Sequence, residues 1–476
     1  MDSLKKRTIQ GVIWSGIEKL SSQGILFVIN IIIARILLPS DFGTVALMNV
    51  FLAICQTFID SGFGLALMRK KECTEEDFST VLIFSIITAT ISYIILWIAA
   101  PWIAKFYNLP TLTTIARVVS LNIVVNALSN VPNAKLSILL DFRSKALITL
   151  ATVLISGSIG LWMAYHGFGV WTLVYQTLIG NCARTFFLYA STKWFPKLRF
   201  SKKSFYELFS FGSKMLISGI IGNIYNHLSS ILIGKVYSTT SLGLYGKANT
   251  FANLPSTQIT GVILNVIYPA LAKIQDDEKR LINAYRQLLK ISTFAIFPLM
   301  IGLSVVAKPL VIFALGEKWE GMIPLLQILS FAMMWDPING VNMNLLQVKG
   351  YSNIFLKVDT YKKIIGATAL CITIPIGLEA ICYGLLAVAL INIPINTYYS
   401  YRLYKYGFKE QLKDIFPNLI HALIMGGIVS ATIWFIDGML AKLIIGIITG
   451  ATYYTIYGYL HYSKEFSSLI KAIKNR

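Results

Sequence analysis

Charge is scarce in this sequence. Only 13% of its 476 residues are Asp, Glu, Lys or Arg, while 55% are hydrophobic and the mean hydropathy is +0.66. Soluble domains carry about 25% charged residues. So little charge cannot coat a water-soluble globule, and most of the chain must face lipid or other parts of itself. Acid is scarcer still: 22 Asp and Glu stand against 42 Lys and Arg, a net charge of +20. The cations sit in short clusters between apolar runs. That is the pattern of cytosolic loops beside anionic lipid, so membrane lipids and not nucleic acid are the expected partners.

Metal-binding and redox residues are also few. The four histidines (His166, His227, His421, His461) have no ligand spacing. The five cysteines are scattered without a CxxC, so neither a zinc site nor a disulfide framework is expected. No GxxxxGK[ST] occurs, which excludes an ATPase of the P-loop kind. No loop is long enough for a soluble domain, so no enzyme is expected. The first apolar run spans about 23 residues, too long for a signal-peptide core, and is expected to stay in the protein.

What the chain has is apolar runs of membrane-crossing length, about 20 residues each. About fourteen are expected, near 12–34, 42–67, 78–100, 111–134, 146–165, 168–190, 211–234, 244–271, 287–307, 323–348, 358–377, 380–401, 415–436 and 440–460. Lys and Arg crowd every second loop, as in Arg69, Lys70 and Lys71 or Lys193, Lys197, Arg199, Lys202 and Lys203. The intervening loops carry isolated cations such as Lys105 and Lys308, so both termini are expected in the cytosol. The longest cytosolic loop, 191–210, divides the chain. The expected fold class is therefore an all-α polytopic membrane protein. It comprises a six-helix lobe over 1–200, a pseudo-symmetric second over 201–410, and two further helices with a basic cytosolic tail over 411–476.

An internal repeat supports that division. The stretch from Asn30 to Asp60 returns 200 positions later, from Ser230 to Thr260. Ile31, Ile33, Gly43, Asn49, Phe51, Thr57 and Ile59 recur at Ile231, Ile233, Gly243, Asn249, Phe251, Thr257 and Ile259, and Arg35 is matched by Lys235. At about 100° per residue, Asn49, Gln56 and Asp60 share one helix face. Asn249, Asn253, Ser256 and Thr260 share the equivalent one.

Further polar residues lie inside the spans. Lys19, Ser22 and Asn30 form a stripe on the first, widened by Glu18. Lys214, Tyr225 and Asn226 do so on the seventh. A charge at mid-bilayer costs at least about 2.5–3.5 kcal/mol, so such residues face a bundle interior or a wet cavity unless they snorkel. Glu18, Lys19 and Lys214 lie near enough to span ends for snorkelling to compete. The fourth span has Asn122, Asn126, Asn130 and Asn133 on one side, suited to sugar contacts or to interhelical hydrogen bonds. Arg117 points to the opposite side, near the outer end. In the tenth span Asp336 precedes Pro337 and Gly340, which points to a broken helix with freed carbonyls. Asp336, Glu18 and Asp60 are the candidate ion-binding carboxylates. Asp60 has Arg69 as an alternative partner. The candidate substrate contacts are Lys19, Lys214, Arg117, Asn30, Asn49, Gln56, Asn249, Asn253 and Asn226.

Several segments together resemble a known family. GVIWSGIEKLSSQG (11–24), ARILLPSDFGTVAL (34–47) and FIDSGFGLALMRKK (58–71) are similar to the polysaccharide transporter family, as are FGSKMLISGIIGNI (211–224) and GLYGKANTFANLP (243–255). These are the Wzx-type lipid-linked oligosaccharide flippases of the multidrug/oligosaccharidyl-lipid/polysaccharide superfamily. The resemblance implies a bacterial inner-membrane flippase. It would carry undecaprenyl-pyrophosphate-linked oligosaccharide from the cytosolic to the outer leaflet by alternating access, for O-antigen, capsule or exopolysaccharide synthesis. It implies a polysaccharide polymerase and export machinery as partners and no cofactor, with H⁺ or Na⁺ as a coupling ion. An ion-coupled drug-efflux member of the superfamily is the alternative, but the amide-rich faces favour a sugar. A membrane-embedded polymerase or glycosyltransferase fits less well, because the outer loops are short.

Overall fold

The computed structural model describes residues 2–474, apart from 61, 62, 64, 65, 68, 69, 71, 72, 197, 198 and 275. Side chains are described except also at 2–13, 15, 17, 20, 60, 207, 208, 210–215, 217, 218, 262–270, 272, 273 and 462–474. Every regular element among the described residues is helical, as the composition predicts. The helices are α1 (Asp2–Ile36), α2 (Pro39–Asp60), α3 (Glu75–Phe106), α4 (Leu112–Val119), α5 (Leu121–Ile138), α6 (Phe142–Tyr165), α7 (Val170–Thr192), α8 (Lys202–Val236), α9 (Thr239–Lys273), α10 (Glu278–Val305), α11 (Ala307–Ala314), α12 (Ile323–Met333), α13 (Asp336–Val348), α14 (Ser352–Thr373), α15 (Leu378–Tyr404), α16 (Phe408–Trp434) and α17 (Met439–Lys474).

Among the described residues, the expected spans fall on helix apart from some span ends and two breaks. Nine helical segments among the described residues are long and apolar enough to cross a membrane by length and composition. Helix α14 falls outside that set because Lys357, Asp359, Lys362 and Lys363 lie within it, and α7 because Gln176, Asn181 and Arg184 dilute it. Among the described residues, two spans are broken. The fourth is split at Ser120, whose hydroxyl donates to the Ala116 carbonyl at 2.6 Å. The tenth is split between Met333 and Asp336, where Pro337 supplies a φ suited to a helix start and lacks an N–H that has no partner there anyway.

The chain divides into two compact units, Met1–Gly243 and Leu244–Arg476. In the first, α1 packs along α6, α6 on α7, α3 on α5 and α2 on α8. Its core includes Ile29, Ile33, Leu37, Ala164 and Leu173, and a second apolar cluster built on Phe63, Leu67, Phe78, Leu82 and Trp194. The start of α3 is fixed by a capping box: Asp77 N donates to Thr74 Oγ1 at 3.2 Å and Thr74 N to Asp77 Oδ2 at 2.9 Å. The segment leading to α8 is held there too, with Ser201 N donating to Thr80 Oγ1 at 3.0 Å and Trp194 Nε1 to Glu75 Oε2 at 2.7 Å.

The repeat has a structural counterpart within this unit. Helices α1 and α2 are joined through Leu37 and Leu38, and α8 and α9 through Tyr237 and Ser238. Leu38 N donates to Asp41 Oδ2 at 3.0 Å in the first turn, and Ser241 N to Ser238 Oγ at 3.1 Å in the second. In the second unit α10 packs on α16, α12 on α15, α16 on α17 and α14 on α15. Met343, Leu346 and Val358 centre one of its apolar clusters.

Candidate functional site

The polar residues that the sequence marks out separate by unit. In the first, Glu18 on α1 is half-buried and accepts from Thr149 Oγ1 of α6 at 2.8 Å. Its charge and that of Arg184 act on Lys145 one turn before Thr149, and Lys145 Nζ donates to Ser137 Oγ at 2.5 Å. Glu18 is therefore engaged between α1 and α6. Lys19, Asn49 and Asn226 are exposed, and Asn30 and Gln56 half-buried. Beside Gln56, Thr57 accepts from Asn223 Nδ2 of α8 at 2.6 Å, so the polar edges of α2 and α8 do meet. The Asp60, Arg69 and Lys214 side chains lie outside the described residues.

The asparagine stripe of the fourth span is an interhelical bond in part. Asn122 accepts from Asn181 Nδ2 of α7 at 2.7 Å and donates to the Val119 carbonyl at 2.9 Å, at the helix break. Arg117 is turned elsewhere. Its guanidinium lies 4.1 Å from the centroid of the Trp97 ring, itself an exposed side chain of α3. A cation over an indole face is stabilised by the ring quadrupole, and this gives Arg117 a partner on α3.

The second unit holds a denser polar interior. Asp336 begins α13, and Ser256 Oγ of α9 lies 3.0 Å from Asp336 Oδ2 and 3.1 Å from the Met333 carbonyl freed by the break. Asn249 and Asn253, earlier on α9, are half-buried. One turn along α13, Asn339 accepts from Asn396 Nδ2 of α15 at 2.6 Å. A further turn on, Asn342 and Gln411 exchange amide hydrogen bonds of 3.0 and 3.1 Å, and Ser400 Oγ donates to Asn342 Oδ1 at 3.0 Å. Beyond these, Asp414 accepts from Arg286 at 2.8 and 3.0 Å and from Tyr406 Oη at 2.8 Å, with Lys290 Nζ 3.3 Å away. Burial first, and then the Asp414 carboxylate, push the Tyr406 phenol well above its usual range.

Sequence reasoning missed several of these residues for one reason. The rule that Lys and Arg clusters mark cytosolic loops counts Lys362, Arg286 and Lys290 with the loops, although the expected spans 287–307 and 358–377 contain two of them. The helices start earlier: α14 at Ser352 and α10 at Glu278, so all three cations lie on helix. Lys362 is half-buried and shares a face of α14 with Val358 and Gly366, and the charges of Asp359 and, less strongly, Asp336 act on it. The available signal was the i, i+4 spacing of Val358, Lys362 and Gly366.

A family model described as "Polysaccharide biosynthesis protein" matches residues 32–324, more than half of the chain. The chain is 26% identical over 393 residues to the lipopolysaccharide biosynthesis protein WzxC of Escherichia coli (strain K12), covering 82% of this chain and 80% of that protein. It is 22% identical over 478 residues to the teichuronic acid biosynthesis protein TuaB of Bacillus subtilis (strain 168), covering 99% of each. Among solved structures, the lipid II flippase MurJ in an inward closed conformation matches with a TM-score of 0.78 and 16% identity, over 96% of this chain and 100% of that one. At that identity the likeness is one of fold.

Proposed function

We propose, from the premise that the chain belongs to the polysaccharide biosynthesis protein family, that it is a flippase for lipid-linked oligosaccharide. It is a multi-pass membrane protein with the family and fold of transporters, and not an enzyme. The proposed cargo is an undecaprenyl-diphosphate-linked oligosaccharide, moved from the cytosolic to the outer leaflet of the bacterial inner membrane. Both termini lie in the cytosol in this reading, and a polysaccharide polymerase and export machinery take the product onward.

The observation that carries the reading is the family match over residues 32–324. The chemistry of the cargo supports it. A diphosphate needs cations, a glycan needs amides and hydroxyls, and the lipid needs none of these. The proposed contacts are Lys19 and Lys214 for the anion and Asn30, Asn49, Gln56, Asn226, Asn249 and Asn253 for the sugar. Without an ATPase, directional transport draws on an ion gradient. Asp336 is the proposed coupling carboxylate: it stands at a helix break, and its Oδ2 lies 3.0 Å from Ser256 Oγ, which also reaches the freed Met333 carbonyl.

Reconstitution tests this. Liposomes containing the protein should expose a fluorescently labelled lipid-linked oligosaccharide on the opposite leaflet faster than empty vesicles, and the Asp336→Asn variant should respond less to an imposed ion gradient. Equal exposure in both kinds of vesicle would remove the flippase reading.

A further inference from the structure

Arg286 meets Asp414 and Lys290 meets Asn418, each pair 128 positions apart, so helices α10 and α16 run parallel. Asn418 Nδ2 donates to the Lys290 carbonyl and to Thr293 Oγ1, both at 3.0 Å, and Tyr457 Oη of α17 donates to Asn418 Oδ1 at 3.1 Å. These bonds fix the two helices one turn beyond Asp414. At Asp414 itself, Arg286 Nε and Tyr406 Oη each lie 2.8 Å from Oδ2. Arg286 Nη2 lies 3.0 Å and Lys290 Nζ 3.3 Å from Oδ1. An ionised carboxylate offers about four lone-pair sites, so these four donors saturate it. The Tyr406 ring centroid is 5.3 Å from the Arg286 guanidinium carbon, which holds the cation from a second side.

That arrangement leaves charge over. Two positioned cations meet one saturated carboxylate, a surplus of one positive charge. It leaves donors over as well. Arginine has five N–H groups and lysine three, and Asp414 takes two from Arg286 and one from Lys290. Burial separates the two signs: the Asp414 side chain is 7% exposed, whereas Arg286 and Lys290 are 44% and 40% exposed. Nearby acids are engaged at helix starts. Asp277 Oδ1 accepts from Arg280 N at 3.0 Å, and Glu410 Oε2 accepts from Gly407 N at 2.9 Å. Among the described residues, Asp414 is the only carboxylate paired with either cation.

The position of the cluster points to its ligand. Arg286 and Asp414 each stand one residue before an expected span, 287–307 and 415–436. That is the level of lipid phosphate groups, where basic residues at span ends meet anionic headgroups. Past it, α10 continues with Phe294, whose ring lies 5.0 Å from Tyr454 and 6.1 Å from Tyr457 of α17, and α16 exposes Phe416 and Ile420. We propose that Arg286 and Lys290, held in place by Asp414, bind the phosphodiester of one anionic phospholipid, phosphatidylglycerol, at the seam between α10 and α16. The unused edge of the guanidinium takes two phosphate oxygens fork to fork, and the ammonium adds a point charge. A phosphodiester carries one negative charge, which the surplus of the cluster matches. Because Asp414 and Tyr406 already order the arginine, binding immobilises little further side chain. The lipid then sits where α16, the first helix of the C-terminal pair, joins α10.

This inference uses the span limits and the ion cluster, not the flippase reading, and its test involves no transport. The purified full chain in one detergent is unfolded thermally with phosphatidylglycerol or phosphatidylcholine added at equal mole fraction. Phosphatidylglycerol should raise the wild-type midpoint about 2–4 °C more than phosphatidylcholine does. Arg286→Gln and Lys290→Gln should lose most of that difference. Arg402→Gln removes an exposed cation of α15 that has no place in the cluster, and should keep it. No difference between the lipids in wild type would overturn the inference. So would a difference that survives both cluster variants, or one that Arg402→Gln loses equally, since either marks diffuse attraction to a basic surface. Inorganic phosphate giving the same rise would make the ligand a free anion and overturn the lipid assignment. Lys290→Gln leaves Asp414 its bonds to Arg286 and Tyr406, so it decides should Arg286→Gln fail to fold. In native mass spectrometry, wild type should retain one phosphatidylglycerol more than Lys290→Gln, and equal retention would count against the site.

Discussion

Gly43 and Gly243, placed 200 positions apart in the sequence, lie against one another in the first unit. A Cβ on Gly43 would run into the Thr239 carbonyl and approach Gly243 N at 3.0 Å; one on Gly243 would run into the Pro39 carbonyl and approach Gly43 N at 3.2 Å. The contact is reciprocal, as expected where two copies of one element meet about a local two-fold axis. It also explains why this position is glycine in both copies: backbone occupies the space that any side chain would need.

Gly43→Ala should therefore force the starts of α2 and α9 apart. The expected destabilisation is about 1–3 kcal/mol, the usual range for overpacking, read as a lower thermal midpoint in detergent. Gly246→Ala is the control. Nothing lies within 4 Å of its Cβ position on α9, and alanine is the better helix former by about 1 kcal/mol, so its midpoint should stay or rise. Equal loss in both variants would mean that the glycine contact is not tight in the folded protein.

Asp414 gathers two cations and a phenol near the start of α16. Asp414→Ala should cost about 1–3 kcal/mol. That is below the range for breaking a fully buried pair, because Arg286 and Lys290 remain 44% and 40% exposed and water screens them. Arg286→Lys should recover only part of the wild-type stability, since lysine cannot reproduce the two-pronged contact at 2.8 and 3.0 Å. Denaturation midpoints of the three proteins test the order.

Gln411 is buried among acceptors and donors that only an amide satisfies. It bonds Asn342 in both directions and donates to Tyr285 Oη at 3.3 Å. Gln411→Leu leaves Asn342 with the Ile338 carbonyl and Ser400 only. A loss of about 1–3 kcal/mol is expected, and Gln411→Glu should lose at least as much by adding a buried charge. A leucine variant as stable as wild type would show the network to be replaceable by packing.

Lys19 and Arg184 are both exposed, but only Lys19 sits on the polar stripe of α1. In an export assay at equal protein level, Lys19→Ala should reduce surface polysaccharide several-fold more than Arg184→Ala. Comparable export from both variants would take Lys19 out of the substrate path.

Most of the architecture was legible because a membrane leaves so few options. Hydrocarbon demands internal satisfaction of every backbone group, so apolar runs of sufficient length become helices. The family resemblance in residues 11–24, 34–47 and 58–71 was legible as well, and the match over residues 32–324 agrees with it. The repeat announced that positions 43 and 243 are equivalent. The break at Pro337 was readable from the missing N–H of proline.

The tertiary structure decided what the polar residues do. Sequence spacing gives each side chain a face on its own helix and says nothing about which neighbour that face meets. Asn122 was as fit for a sugar as for Asn181 until α7 was set beside it. Arg117 received Trp97 because α3 passes there. Lys362 counts with the loop cations by its cluster, but α14 begins ten residues before it and sets it on a half-buried helix face. Helix existence is local physics, fixed by composition over some twenty residues. Partner choice is set by contacts between segments far apart in the chain, and those exist only once the bundle has packed.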